Sequence, residues 1–401
     1  MNVLVVSPFL PYPGVPHAGG KLVYFLLRTL SAKHSVTLLS RYFPGEERHL
    51  GELRKMLSGI ELVSAPGPVT AGSLPSMWRT VRSYYRLARK AREVLNRETF
   101  DLCQVEFTET GVFWLPRRDV PAVLTCHDII AKPAFRRYVA SSGFSGVLHW
   151  LTWRGKHAAE KKALSKFDRV FTLSDEDREW AERLYPGVSI GILRYPGGLG
   201  FTGLPRKEVP GRLLFLGALN RPQNIESVRY FRERVWPAVR EESPEAEFRI
   251  AGGGLPGELE REMSKDPRIV LTGYLENVEE AYKSAAVFVA PVLTGGGIIV
   301  KILDAMAAGV PVVTTPFGNE GIRAKEGEEI SVSDDPDHFR RNVLDLLRDQ
   351  KYRTAMGDAG RRFVENKFSG ESFSDTLGQT YGELDSRMRG KERYSDSTSR
   401  T

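Results

Sequence analysis

The chain has 401 residues, 41% hydrophobic and 27% charged, the composition of a globular protein too long for one ordinary core. Two domains of fewer than about 200 residues each are therefore expected. No apolar run reaches the roughly 18 to 20 residues needed to span a bilayer, and two cysteines, Cys103 and Cys126, exclude a disulfide framework and fit a reducing cytoplasm.

The net charge of +7 is unevenly placed. Residues 1–200 hold 28 Lys and Arg against 18 Asp and Glu, a balance of +10, and the remainder carries −3. Basicity thus belongs to the first half, which should face an acidic partner or a membrane surface.

The opening MNVLVVSPFLPYPG lacks a positive leader and reads as a first strand, not a signal peptide. Short β-rich apolar runs then alternate with helical segments. In the first half they cover residues 3–7, 36–40, 60–64, 102–107, 122–127, 169–174 and 190–194. In the second they cover 213–219, 248–252, 269–272, 287–291, 310–315 and 329–332. Such alternation predicts parallel sheets covered by helices on both faces, here two Rossmann-like, doubly wound domains. The expected division is 1–195, a Gly- and Pro-rich linker over 196–211, a second domain over 212–370, a helix over 371–389 and a disordered tail over 390–401. The helix over 371–389 is expected to pack back on the first domain. Ligands of such sheets sit outside the carboxyl ends of the strands, in a cleft that two such domains share.

Residues 293–315, LTGGGIIVKILDAMAAGVPVVTT, form the strongest local signal. Gly295, Gly296 and Gly297 let a ligand approach the backbone, and a helix opening near Ile298 points free N–H groups into the same gap. That suits a phosphate or diphosphate. Lys301 and Asp304, three apart, share a helical face; they offer a cation for phosphate and a carboxylate for sugar hydroxyls, or simply an ion pair.

Other motifs are weaker. The loop PFLPYPGVPHAGGK leads to a helix near Gly19 and Gly20, and it is not the G-x-G-x-x-G of dinucleotide binding. His127 ends an apolar strand, where it can hydrogen-bond a sugar hydroxyl, and Asp128 is expected to cap the next element. The triplet Asp175, Glu176 and Asp177 follows Ser174 in a capping arrangement, so no metal site is expected. Asp335 and Asp337 are likewise read as a turn and helix start. Residues 78–92, opening on Trp78 and closing on Arg92, mix basic and aromatic side chains; they read as an amphipathic helix of the first domain or as a contact with an anionic leaflet. Residues 135–156 carry the same two readings. No nucleic-acid motif accompanies either.

With these residues assembled, the chain resembles the family-four glycosyltransferases of GT-B fold over nearly its whole length. The Gly-Gly loop, His127, the passage from Glu160 through the SDED segment, the run from Gly217 to Asn224 and the three-glycine stretch all match in order. The resemblance implies a transferase moving a sugar from a nucleotide-sugar to a glycan, lipid-linked or small-molecule acceptor, with retention of configuration and without metal or other cofactor. It assigns His127 to catalysis, Gly19 and Gly20 to the sugar and acceptor, and Arg221, Asn224, Gly295, Gly296, Gly297, Lys301, Asp304 and Glu320 to the donor. Two departures stand out. The family's paired glutamates would fall at Gly296 and Asp304, and its Arg and Lys diphosphate clamp at Ala218 and Asn224, which leaves Arg221 and Lys301 to supply the charge. Closure of the two domains would exclude water from the donor. The expected location is the cytoplasm, including the inner membrane face. A nucleotide-sugar epimerase and a non-catalytic nucleotide-sugar or glycan binder are the competing readings.

Overall fold

The computed structural model describes residues 1–15, 17–66, 74–117, 119–294 and 297–398, with the backbone alone for 74–77 and 389–398. It divides into two compact units. One comprises Met1–Arg194 with Phe373–Thr401, and the other Tyr195–Ser372.

The first unit holds seven strands: β1 (Asn2–Ser7), β2 (Ser35–Tyr42), β3 (Gly59–Ser64), β4 (Leu102–Glu106), β5 (Ala122–Cys126), β6 (Arg169–Thr172) and β7 (Ile190–Ile192). They pair in parallel in the order β3-β2-β1-β4-β5-β6-β7. The central strands are buried along their length because helices cover both faces, which is why they read as unbroken apolar runs. Helix Ala18–Ser31 buries Leu22, Val23, Leu26, Leu27 and Leu30 on one stripe. Strand order reverses between β1 and β4, so a crevice opens at their carboxyl ends.

The second unit repeats the plan with β8 (Arg212–Leu216), β9 (Glu247–Ala251), β10 (Ile269–Gly273), β11 (Val287–Ala290), β12 (Val312–Thr314) and β13 (Ser331–Val332). Their order is β10-β9-β8-β11-β12-β13, again parallel, and it reverses between β8 and β11. All thirteen expected strands are present, with ends shifted by up to three residues.

Three segments differ from expectation. Residues 196–211 belong to the second unit, where Phe201 is buried and meets Tyr282 edge-on at 5.1 Å. The glycines there allow tight turns, yet Phe201 between them finds a core to join. The last helix spans Gly370–Thr398 and runs past Arg389, because the segment beyond has no proline and contains good helix formers such as Lys391, Glu392 and Arg393. Its Phe373 meets Phe25 at 5.3 Å, and the Tyr381 hydroxyl donates to Gln104 Oε1 at 2.8 Å. The helix after β11 starts at Val300, not Ile298, because Ile299 takes a non-helical φ of −88° and ψ of 88°.

Candidate functional site

In the second unit the loop after β8 and the loop after β11 meet at the reversal point. Gly217 packs against Asn224, such that a β-carbon there would lie 2.9 Å from Asn224 Nδ2. Asn224 is thereby fixed: its Nδ2 donates to the Ala218 carbonyl at 2.9 Å, and its Oδ1 accepts from Lys301 Nζ at 3.0 Å. The Lys301 ammonium also lies 4.2 Å from the centre of the Phe215 ring. Burial, and second the Arg221 guanidinium, lower its titration point to about 7. Arg221 itself is exposed at the N-cap of helix Pro222–Tyr230. Arg221 is thus near enough to repel Lys301, and the acceptor that Lys301 holds is an amide oxygen. An anion placed here would offset that repulsion.

Gly297, at φ 74°, turns the chain after β11 toward helix Val300–Ala307, whose first N–H groups are free of side-chain caps. Gly295 and Gly296 lie outside the described residues. Ile302, Leu303 and Met306 are buried, as their helical spacing requires, while Lys301 and Asp304 are half-buried. Burial raises the Tyr195 and Tyr282 hydroxyls, and the Asp304 carboxylate raises both further. Asp304 therefore sits beside two neutral phenols. Glu320 ends helix Pro316–Glu320, which Thr315 caps through Gly318 N. Gly318 and Gly321 press so closely on Thr314 and on the Gly297 carbonyl that neither tolerates a β-carbon without movement.

The first unit places a second cluster at its own reversal point. Gly19 and Gly20 lie in the first turn of helix Ala18–Ser31, where Gly20 N donates to His17 Nδ1 at 2.9 Å. His127 follows β5 directly and is 8% exposed. Its Nε2 lies 2.8 Å from Glu106 Oε2, at the end of β4. An ionised Glu106 only accepts, so the ring donates from Nε2 and turns Nδ1 toward Gly19, where a β-carbon would lie 3.4 Å away. The Phe107 ring stacks on His127 at 3.6 Å and would collide with a side chain at Gly19. Phe107 holds this place at φ 69°, a strained value for a residue with a β-carbon. Behind the dyad, Gln104 Nε2 donates to Glu106 Oε1 at 2.7 Å and to Thr125 Oγ1 at 2.8 Å.

Glu106 and Phe107 were not singled out in the sequence. A glutamate closing the apolar run LCQVE was the available signal, since a charge in a buried strand needs a partner.

Asp128 does not cap the helix that follows. Glu160 does this instead, accepting from Ile130 N at 2.8 Å and Ala131 N at 3.0 Å while Tyr185 donates to it at 2.6 Å. The protein packed around the Asp128 carboxyl, and then the Asp177 charge, push that carboxyl up to about 7. The acidic triplet is engaged with protein groups. Asp175 binds Arg194 at 2.7 Å, Glu176 accepts from Trp180 Nε1 at 2.8 Å, and Asp177 meets Lys132 at 2.9 Å while Ser174 caps its N–H. Among the described residues no three His, Cys, Asp or Glu side chains form a group that could hold a metal ion.

Comparison with known proteins gives two family matches. Residues 19–189 match the model described as Glycosyltransferase Family 4, and residues 210–349 the one described as Glycosyl transferases group 1. The chain is 29% identical over 363 residues to an uncharacterized 44.6 kDa protein in the cps region of Klebsiella pneumoniae, covering 86% of this chain and 91% of that one. It is 31% identical over 156 residues to a GDP-mannose-dependent monoacylated alpha-(1-6)-phosphatidylinositol monomannoside mannosyltransferase of Corynebacterium glutamicum, covering 36% of this chain and 41% of that protein. Among solved structures, sucrose-phosphate synthase from Thermosynechococcus elongatus superposes with a TM-score of 0.72 at 18% identity, over 96% of this chain and all of that one.

Proposed function

Because the chain belongs to the group 1 glycosyltransferases, with the GT-B pair of parallel-sheet domains, we propose that it moves a sugar from a nucleoside-diphosphate sugar to a hydroxyl acceptor, with retention and without a metal. The observation that carries the donor reading is the pair Lys301 and Arg221, two cations at one strand-order reversal with an amide as the lysine's acceptor.

In this reading the bond from the anomeric carbon to the diphosphate breaks and a bond from that carbon to the acceptor oxygen forms. The acceptor proton leaves with the departing diphosphate or to solvent. Charge grows on the diphosphate, so groups aimed at it accelerate the step. Lys301, Arg221, Gly297 and the free N–H groups of helix Val300–Ala307 supply that stabilisation. Asn224 holds the lysine in place. Asp304 and Glu320 take hydroxyls of the ribose or sugar, each as a carboxylate acceptor. On the first unit His127, paired with Glu106, offers its ring to a sugar hydroxyl beside Gly19 and Gly20.

GDP-mannose is the donor named for the Corynebacterium relative, and a purine or pyrimidine diphosphate fits the same clamp. The acceptor is a glycan, a lipid-linked glycan or a small hydroxyl compound. We place the protein in the cytoplasm, at times on the inner membrane face; among the described residues no helix is long and apolar enough to cross a membrane.

Calorimetry with UDP, GDP and ADP in the presence of chelator tests the donor site. Binding of one nucleotide that Lys301→Ala abolishes is expected. No binding of any of them refutes the reading, as does a strict requirement for a divalent cation.

A further inference from the structure

The helix Gly143–Leu164 has two apolar faces on opposite sides. The inner face docks: Trp153 lies 5.4 Å from Phe135 and 5.8 Å from Tyr138, His157 stacks on Tyr185 at 5.1 Å, and Glu160 and Leu164 are buried. The outer face carries Phe144, Val147, Leu148 and Leu151, spaced i, i+3, i+4 and i+7 on one stripe. Phe144 is 79% exposed, and the other three are exposed by half or more. Trp150 and, on the preceding helix Ala131–Val139, Val139 are exposed as well. Four large apolar side chains in one open stripe exceed the scattered apolar residues normal on a monomer's surface.

Along the chain, the charges flanking the stripe have one sign. Residues 129–159 contain no Asp or Glu and five Lys or Arg. Lys132 is buried against Asp177, while Arg137, Arg154 and Lys156 are exposed, and Lys161 and Lys162 continue the basic run. Arg154 lies 6.0 Å from the centre of the Trp150 ring, at the edge of the stripe. An apolar stripe bordered by Arg, Lys and Trp, without acids, complements a surface that is apolar below and negative above. A second copy of this chain is the poorer match. A two-fold contact sets the same patch against itself and would bring these bases together without carboxylates from residues 129–159 to pair them.

We propose that the outer face of helix Gly143–Leu164 is a docking surface for an anionic lipid bilayer, with Phe144, Val147, Leu148 and Leu151 entering the acyl boundary and Arg137, Arg154 and Lys156 meeting the headgroups. This inference stands apart from the donor site, and it places the membrane contact elsewhere than on helix Leu74–Arg97. That helix buries Leu87, Ala91 and Val94 in the core, and its Tyr84 stacks on Phe113; among its described side chains the large exposed apolar ones are Trp78, Val81 and Tyr85.

The test is flotation of the full chain with vesicles of phosphatidylcholine, with and without phosphatidylglycerol. Wild type should float with the anionic vesicles alone and release at high salt. Phe144→Ser/Leu148→Ser/Leu151→Ser should weaken flotation by more than about tenfold. Arg154→Glu/Lys156→Glu should do the same, whereas Trp78→Ser/Tyr85→Ser should not. All substituted side chains are exposed, so unchanged melting and nucleotide binding are expected; the single variant Phe144→Glu provides the reading if the triple variant melts early. The proposal is overturned if wild type does not float, if it floats equally with neutral vesicles, or if the stripe variants float like wild type. It is also overturned if light scattering shows a dimer that the stripe variants dissolve.

Discussion

Lys301→Met removes a cation that the fold holds at a cost. The ammonium titrates at about 7 in the folded chain, against an ordinary 10.5, first because it is buried and second because Arg221 repels it. Between those two values the unfolded chain binds a proton that the folded chain does not. Stability should therefore rise with pH across this window, by up to about 1.4 kcal/mol per pH unit for one group, and should carry the full penalty below about pH 7. The whole shift corresponds to about 5 kcal/mol, and partial exposure of the side chain reduces the expected effect to roughly 2. Methionine keeps the stem over Phe215 and discards the charge. The ligand-free variant should accordingly be about 2 kcal/mol more stable than wild type near neutral pH, with a flatter pH dependence. Nucleotide affinity should move the other way. In wild type it falls as pH rises through about 7, because the charge that meets the diphosphate is lost, and in the variant it drops by about a hundredfold and loses that dependence. Urea titrations from mildly acidic to mildly alkaline pH, with calorimetry on the same samples, measure both. A variant less stable than wild type at neutral pH, or one that binds nucleotide equally well, would falsify the account of this lysine.

Four other substitutions probe the first unit. Gly19→Ala should destabilise by about 1–3 kcal/mol through collision with Phe107, whereas Gly378→Ala, in a helix with open space around it, should stabilise by about 0.5–1; equal effects in denaturant titrations would deny the close approach. Glu106→Gln places an amide against His127 Nε2 and should lower kcat/KM by at least about tenfold at unchanged melting temperature; a pH–rate profile identical to wild type would show that Glu106 does not set the ring. Tyr381→Phe removes the donor to Gln104 and should cost about 1–2 kcal/mol in denaturant titrations; no loss would show that this buried bond adds nothing net.

Much of the architecture was legible because parallel strands buried on both faces are short apolar runs, whatever they pair with. Every run chosen on that ground is a strand, from residues 3–7 to 329–332. The caps at Ser174 and Asp335 were legible too, since each acts three residues away. The glycine-rich segment and Lys301 stand out in the sequence because a strand-to-helix turn that binds an anion would draw on neighbours in sequence.

What only the tertiary structure decided is contact across long separations. Strand pairing brings Glu106 and Phe107 against His127, twenty-one residues away for the glutamate, and turns an isolated histidine into an oriented one. The two loops of the second unit bring Asn224 to Lys301 across 77 residues, so the lysine is half-buried and held, a state its helical position does not reveal. Asp128 was misread as a cap because the residue that caps, Glu160, arrives from another helix. The same holds for helix Gly143–Leu164: its apolar residues run around the whole helix, and packing of Trp153 and His157 inward leaves Phe144, Val147, Leu148 and Leu151 facing out. Local pattern determines which elements form. Which of their faces is covered, and which charge meets which, depends on neighbours that the chain supplies from far away.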